Sequence, residues 1–167
     1  MIEMIVVDNN MLQAISTVLL AASVIYAALQ VRENSYQREL AVMKEAYDYI
    51  RETRKYRRMI YQNKEIILKT KTVEELKKLE KEYPDLYDAI QEVFNCYHYV
   101  GFLIKLGFIT KKKKEFIDEI HEPVLRINEI AGHIIDLENK KAGYKGYKKY
   151  FLYLIQEIKQ ELDVRTD

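Results

Sequence analysis

The densest cluster of charge in the sequence is a stretch of eight residues that reads RETRKYRR. Guanidinium and ammonium groups bind phosphate oxygens, and Tyr56 or Tyr61 could stack on a nucleic-acid base. One interpretation is therefore a binding patch for nucleic acid or another polyphosphate. The favoured interpretation is a solvated rim, in which the cations pair with acidic residues of neighbouring helices. The cations of this arginine patch are Arg51, Arg54, Lys55, Arg57 and Arg58.

Two members of the arginine patch occupy positions that are expected to face protein. Arg54 and Arg57 continue an apolar stripe ahead of Tyr61, so part of the patch should point toward the core. A buried guanidinium then requires a carboxylate partner. A lipid-binding role is disfavoured, because Arg51 lies about 20 residues, or roughly 30 Å of straight helix, beyond Val31. The balance of 27 Lys and Arg against 26 Asp and Glu also argues against a general polyanion binder.

The other residues with catalytic or metal-binding chemistry are few and scattered. Cys96 and His98 are two positions apart, so on a helix they point roughly 200° apart and do not share a metal. No phosphate-binding loop or nucleophile motif is present. We therefore predict no catalytic residue, no metal and no cofactor, and we expect a protein that is not an enzyme. A helical enzyme with an unrecognised site stays a second alternative, which carboxylates converging on His121 or His133 would indicate.

A second run of cations, Lys111 to Lys114, follows Thr110, a residue that can cap a helix. The helix dipole disfavours cations in a first turn. The simpler interpretation is a solvated loop, and the alternative is contact with an acidic partner or a phosphate.

An uncharged segment, residues 11–31, precedes all of these groups. It contains neither Gly nor Pro and matches the roughly 20 apolar residues that a helix needs to cross a bilayer. The chain starts with acidic rather than basic residues, so we expect an uncleaved anchor. The competing interpretation is a buried helix of a soluble protein. The predicted boundaries are a short extracytoplasmic N-terminus (1–9), a transmembrane helix (10–31), a cytoplasmic helical bundle (32–163) and a frayed tail (164–167).

The distribution of positive charge predicts the orientation of this anchor. No Lys or Arg precedes the segment, whereas Arg32, Arg38, Lys44 and Arg51 follow it. The positive-inside rule therefore predicts a cell-membrane protein with its N-terminus outside and its C-terminal domain in the cytoplasm. The single cysteine, Cys96, excludes an internal disulfide and agrees with a reducing compartment.

Small residues recur along one face of the uncharged segment. Such a stripe allows two transmembrane helices to approach closely, so a homo-oligomer is one possible assembly. The residues of this span-pairing stripe are Thr17, Ala21, Val24 and Ala28.

The scarcity of turn-forming residues sets the fold class. Only five Gly and two Pro occur in 167 residues, and neither type precedes Pro84. We predict an all-α fold in which a single N-terminal transmembrane helix is continuous with the first helix of a cytoplasmic antiparallel helical bundle. The expected elements begin with a helix over 9–62 and a loop, or the frayed end of that helix, over 63–72. Further helices are expected over 73–81, from Pro84 to a left-handed cap at Gly107, from Thr110 to Gly143 with a break or kink at Pro123, and over 146–162.

Several segments carry a resemblance to a known family. They read ALQVREN at the end of the apolar segment, RETRKYRRMIYQ, LYDAIQEVFNCYHYVGFLIKLGFIT and FIDEIHEPVLRI. Over about residues 10–160 the chain resembles a family of small bacterial and archaeal membrane-anchored helical proteins classed as a domain of unknown function. The resemblance implies an architecture and no mechanism. The function predicted is a membrane-anchored helical interaction or scaffold protein, whose partners are the lipid bilayer and an unidentified protein; nucleic acid is the less favoured partner.

Overall fold

The computed structural model describes residues 9–163, and for residues 9–12 and 14 it describes the backbone alone. The predicted tail and residues 1–8 of the predicted N-terminal segment lie outside this range. The described part is all-α and contains no strand, which confirms the predicted fold class. The helices are α1 (Asn9–Glu52), α2 (Arg54–Gln62), α3 (Lys64–Lys69), α4 (Val73–Glu82), α5 (Pro84–Lys105), α6 (Lys113–Ala142) and α7 (Lys149–Asp163).

The chain divides into two compact units at the boundary between Leu40 and Ala41. The N-terminal unit contains the uncharged part of α1, which by length and composition could cross a membrane. The C-terminal unit begins within the same helix and contains all the others. The prediction that the apolar segment shares a helix with the start of the bundle is therefore confirmed.

Contacts between side chains define the direction of α5 in the C-terminal unit. Tyr99 donates a hydrogen bond to Glu45 of α1 at 2.8 Å, and Arg57 of α2 donates one to Tyr97 at 3.5 Å. As the chain advances through α1 and α2, its partners on α5 come earlier in that helix. The helix α5 therefore runs antiparallel to α1 and α2.

The helix α6 reverses direction again. Near its start Phe116 packs on Tyr47 of α1, with ring centroids 4.8 Å apart, and further along Arg126 lies over Tyr61 of α2. The start of α6 also meets the end of α7, because Lys113 pairs with Glu157 at 2.8 Å. The helix α6 is thus parallel to α1 and α2 and antiparallel to α7, which gives the alternating arrangement of a helical bundle.

Aromatic rings fill the centre of the C-terminal unit. Phe151 of α7 packs against Phe94 and Tyr97 of α5, with centroid distances of 5.4 and 5.7 Å. All three rings are fully buried, as is Phe116 of α6. Burial of such large apolar surfaces is the main stabilising contribution to a bundle of this size.

The first part of the bundle differs from its prediction. A single continuous helix over 9–62 was expected, but Thr53 interrupts it and separates α1 from α2. The buried Thr53 hydroxyl donates to the Ile50 carbonyl oxygen at 2.9 Å, so this side chain competes with the helical backbone pattern. The loop or frayed helix end expected over 63–72 is also wrong in part, because the short helix α3 begins at Lys64, directly after its N-cap residue Asn63.

Most of the later helix boundaries follow their sequence signals. Thr72 and Glu75 form the capping box at the start of α4, Pro84 opens α5, and Gly107 is left-handed with φ +75°. The helix α6 begins at Lys113 with Lys112 as its N-cap residue, so it starts later than the predicted cap at Thr110.

The helix α6 passes through Pro123 without ending there, so the prediction of a longer helix through the proline is confirmed and that of two short helices is wrong. It ends as predicted at the left-handed Gly143. The last helix begins at Lys149, later than the predicted residue 146.

Candidate functional site

A cleft between α2 and α6 gathers most of the arginine patch. On α2 the residues Arg54, Arg57, Arg58 and Tyr61 follow a spacing of three, one and three, which brings them to one broad face of the helix. This face and a segment of α6 enclose a cleft of about 290 Å³, which we call the arginine cleft. Its lining residues are Arg54, Arg57, Arg58, Tyr61, Glu122, Pro123 and Arg126.

Arg126 is a member of the arginine cleft that the sequence prediction did not include. Its guanidinium carbon lies 4.5 Å from the centre of the Tyr61 ring, within the range of a cation–π interaction. Stacking on the ring leaves the edge of the guanidinium free to donate hydrogen bonds in its own plane. A signal was present in the sequence, since only Arg126 and Arg165 are arginines that follow Arg58.

Arg57 is the half-buried member of the cleft, and its partners differ from those expected. One guanidinium nitrogen donates to the Ile50 carbonyl oxygen at 3.2 Å and the other to the Tyr97 hydroxyl at 3.5 Å. The prediction of a carboxylate partner is therefore wrong for Arg57. Ile50 lies in the last turn of α1, where the helix dipole places partial negative charge. The Nε atom of Arg57 is buried and has no hydrogen-bond partner among the described residues.

Positive charge dominates the arginine cleft. Four guanidinium groups line it together with one carboxylate, that of Glu122. Burial raises the pKa of the Tyr61 hydroxyl, and the positive charges of Arg57 and Arg126 oppose that rise. The Tyr61 hydroxyl therefore stays protonated at neutral pH and could donate a hydrogen bond to an anion.

The other two cations of the arginine patch do not line the cleft. Arg51 pairs with Asp48 on the same helix at 2.5 Å, and Lys55 lies 4.6 Å from the centre of the Tyr56 ring. The structure thus brings together three of the five predicted patch residues. For Arg51 it agrees with the simpler interpretation of a solvated cation paired with a carboxylate, since both side chains of that pair are well exposed.

The histidines occupy separate places. A ring nitrogen of His121 lies 2.8 Å from the carbonyl oxygen of Asp118, and one of His133 lies 3.1 Å from that of Ile67. Among the residues that the structure describes, no group of three or more His, Cys, Asp or Glu side chains could hold a metal ion. The thiol of Cys96 is buried, which raises its pKa to about 12, so it is protonated and unreactive at neutral pH.

The span-pairing stripe lies on a part of α1 that no other described helix covers. Thr17, Ala21, Val24 and Ala28 are all exposed. The Thr17 hydroxyl donates to the Gln13 carbonyl oxygen at 2.8 Å, which satisfies it within the helix. Pairing of two copies through this stripe stays a prediction.

The comparison with protein families gives one match. The model of a family described as a domain of unknown function, DUF4760, matches residues 17–157. The matched range contains the arginine cleft and most of the apolar segment. No curated protein and no solved structure matches the chain.

Proposed function

Since this chain belongs to the DUF4760 family, whose description assigns no activity, we propose a function from its own geometry. The protein is a single-pass membrane protein whose C-terminal unit is a helical binding module, and the arginine cleft binds a compact phosphate-bearing ligand. It acts as an interaction protein rather than as an enzyme.

The membrane part of the proposal is supported by the exposure of the apolar segment. Leu19, Leu20, Val24 and Ile25 are each more than half exposed on α1. A row of such side chains in water is unfavourable, whereas a lipid bilayer would remove them from water. The cations that follow Val31 support a cytoplasmic C-terminal unit.

The observation that carries the binding proposal is the convergence of four arginines from two helices on one cleft. Arg54, Arg57 and Arg58 come from α2, and Arg126 comes from α6. Like charges repel one another, so an anion in the cleft would relieve that repulsion. Guanidinium groups also match the geometry of phosphate oxygens, to which they donate paired hydrogen bonds.

The shape of the site favours a compact phosphate over a nucleic-acid strand. A cleft of about 290 Å³ has room for one or two phosphate groups, not for a run of nucleotides. A strand would need cations that continue along the surface, but Arg51 is engaged with Asp48 and Lys55 lies over Tyr56. The interpretation as a nucleic-acid patch is therefore the weaker alternative.

Calorimetric titration of pyrophosphate into the full-length protein in detergent tests the binding proposal. We expect binding that weakens as salt is added, because the contacts are ionic. Replacing Arg54, Arg58 or Arg126 by Gln should each weaken it about tenfold, since a hydrogen bond to a charged group contributes roughly 1.5–3 kcal/mol.

The matched control is Arg51→Gln, which removes a cation of the same segment outside the cleft. It should leave pyrophosphate binding unchanged. A short single-stranded RNA provides the second arm: if RNA binds and Arg51→Gln weakens it as much as Arg54→Gln, the ligand is a strand and the compact-phosphate proposal is wrong. Absence of pyrophosphate binding at low salt would contradict the proposal outright.

A further inference from the structure

The turn between α5 and α6 holds two large apolar side chains in solvent. Leu106 is 54% exposed and Phe108 is 50% exposed. The backbone between them is fixed: the Gly107 N–H donates to the Ile104 carbonyl oxygen and the Phe108 N–H to that of Leu103, each at 3.0 Å. This pair of bonds is a Schellman motif, for which Gly107 supplies the left-handed residue.

The part of the turn that follows Phe108 is tied to the rest of the C-terminal unit. Ile109 directly after Phe108 is 1% exposed and packs in the core. Lys113, at the start of α6, pairs with Glu157 at 2.8 Å and with Glu161 at 3.5 Å on α7. Leu106 and Phe108 are therefore held on the outside of an anchored turn. Such a display of apolar surface indicates a contact with something outside this chain.

The turn lies at the end of the C-terminal unit that contains the first residues of this unit, which belong to α1. Tyr99, two turns before Leu106, bonds to Glu45, which is close to the first residues of α1 in this unit. Phe116, just after the turn, packs on Tyr47 of the same segment. In the sequence, Ala41 follows Arg32, the first charge after the apolar segment, by nine residues.

Exposed lysines flank the two apolar side chains in the sequence. Lys105, Lys111 and Lys114 are exposed, and the last two lie at the N-terminal end of α6, where the helix dipole disfavours cations. Two ion pairs lie in this segment, one between Lys112 and Glu115 and one between Lys113 and Glu157. Neither pair includes Lys111 or Lys114. Exposed apolar side chains with lysines close by in the sequence are typical of segments that lie in the headgroup region of an anionic membrane.

We propose that this turn, residues 105–114, docks on the anionic surface of the bilayer that anchors the protein. Leu106 and Phe108 insert among the lipid headgroups, and Lys111 and Lys114 lie against lipid phosphates. The inference rests on the proposed membrane anchor. It also assigns a specific partner to the run of lysines. From the sequence alone, that run was interpreted as a solvated loop or as a contact with an anion.

Tryptophan fluorescence in lipid nanodiscs tests the docking, because the chain contains no tryptophan of its own. The full-length Phe108→Trp variant is reconstituted in discs that contain an anionic lipid and acyl chains brominated near the headgroup. We expect its fluorescence to be largely quenched. The matched control is Tyr144→Trp, at a similarly exposed aromatic position in the turn between α6 and α7, which should be unquenched.

Three further variants make the outcomes separable. Leu20→Trp lies in the middle of the span and is measured in discs whose acyl chains are brominated near their ends: if it is quenched there while Phe108→Trp and Leu106→Trp are not quenched by bromines near the headgroup, the docking proposal is wrong and the anchor stands. If Leu20→Trp is also unquenched, the proposed anchor fails and the docking fails with it. Combining Lys111→Gln and Lys114→Gln with Phe108→Trp should reduce quenching in anionic discs, and unchanged quenching would overturn the role given to these lysines.

Discussion

At the scale of single residues, the arginines show what sequence patterns can and cannot predict. The sequence located the cations of α2, because charge clusters are visible in a linear string. It did not reveal that Arg126 joins them, since that depends on how α6 packs against α2. It also gave Arg57 the wrong partner. The carbonyl oxygen of Ile50, which accepts this bond, lies one turn before the interruption of the helix at Thr53, and no periodicity marked that interruption.

A buried carboxylate in α6 gives a prediction at the same scale. Glu138 is 8% exposed and accepts a hydrogen bond from the Tyr87 hydroxyl at 2.5 Å, while Lys141 is 3.9 Å away. Burial, and then this bond to Glu138, raises the pKa of Tyr87, so the hydroxyl remains a donor at neutral pH. Tyr87→Phe should lower the free energy of unfolding by about 1–3 kcal/mol, because it leaves a buried acceptor unsatisfied.

Urea unfolding of the full chain in detergent measures this loss, with Tyr83→Phe as the control. Tyr83 lies at the N-terminal end of the same helix and is largely exposed, so removing its hydroxyl should have little effect. Equal unfolding midpoints for the two variants would show that the contact between Tyr87 and Glu138 contributes no net stability.

At the scale of helices, most boundaries were predictable and the packing between helices was not. The cap at Thr72, the proline at the start of α5 and the left-handed glycines are local signals, and the structure agrees with them. Gly101 gave no such signal, because a glycine inside a helical pattern indicates only a position of low helix propensity. Its importance depends on α7, which lies so close that the Tyr150 carbonyl oxygen occupies the space of a side chain.

Gly101 therefore gives a prediction about how α5 and α7 pack. A Cβ atom at this position would overlap the Tyr150 carbonyl oxygen and lie 3.2 Å from the Leu154 Cβ. A backbone atom cannot rotate away, so the two helices must separate. Gly101→Ala should destabilise the protein by about 3 kcal/mol, even though alanine favours the helix itself.

Gly132→Ala is the matched control, because Gly132 also lies inside a helix but faces only a side chain. The Cβ atom would meet the amide of Asn128, which can change its rotamer. This variant should be neutral or more stable by up to about 1 kcal/mol. If thermal unfolding shows that Gly101→Ala is as stable as Gly132→Ala, close contact between α5 and α7 does not limit the stability of the bundle.

At the scale of the whole molecule, the clearest signal in the sequence is a change of composition along the chain. The change from an uncharged segment to a charged, helical body is visible in composition, and the division into two units lies within the helix that joins them. The exposure of Leu106 and Phe108 could not be predicted, since a pattern of apolar residues does not show which of them the fold leaves exposed. It becomes evident only in the structure, where Ile109 packs in the core and Lys113 pairs with Glu157 directly after these two residues.

The orientation that we propose for the protein in a membrane gives a prediction at this largest scale. Every Lys and Arg follows residue 31, so trypsin cleaves only the part of the chain beyond the apolar segment. With the C-terminal unit in the cytoplasm, trypsin should degrade it in inside-out vesicles and leave it intact in sealed right-side-out cells. Digestion from the outer face of intact cells would contradict the proposed orientation.

The same charges provide a variant that should reverse this result in part. Replacing Glu3 and Asp8 by Lys and both Arg32 and Arg38 by Gln moves the nearest positive charges to the other side of the apolar segment. Because the positive-inside rule depends on Lys and Arg close to the span, a share of the molecules should insert with the C-terminal unit outside. Trypsin added to intact cells should then remove that share. If the variant stays fully protected, the folding of the C-terminal unit, rather than the flanking charge, determines the orientation.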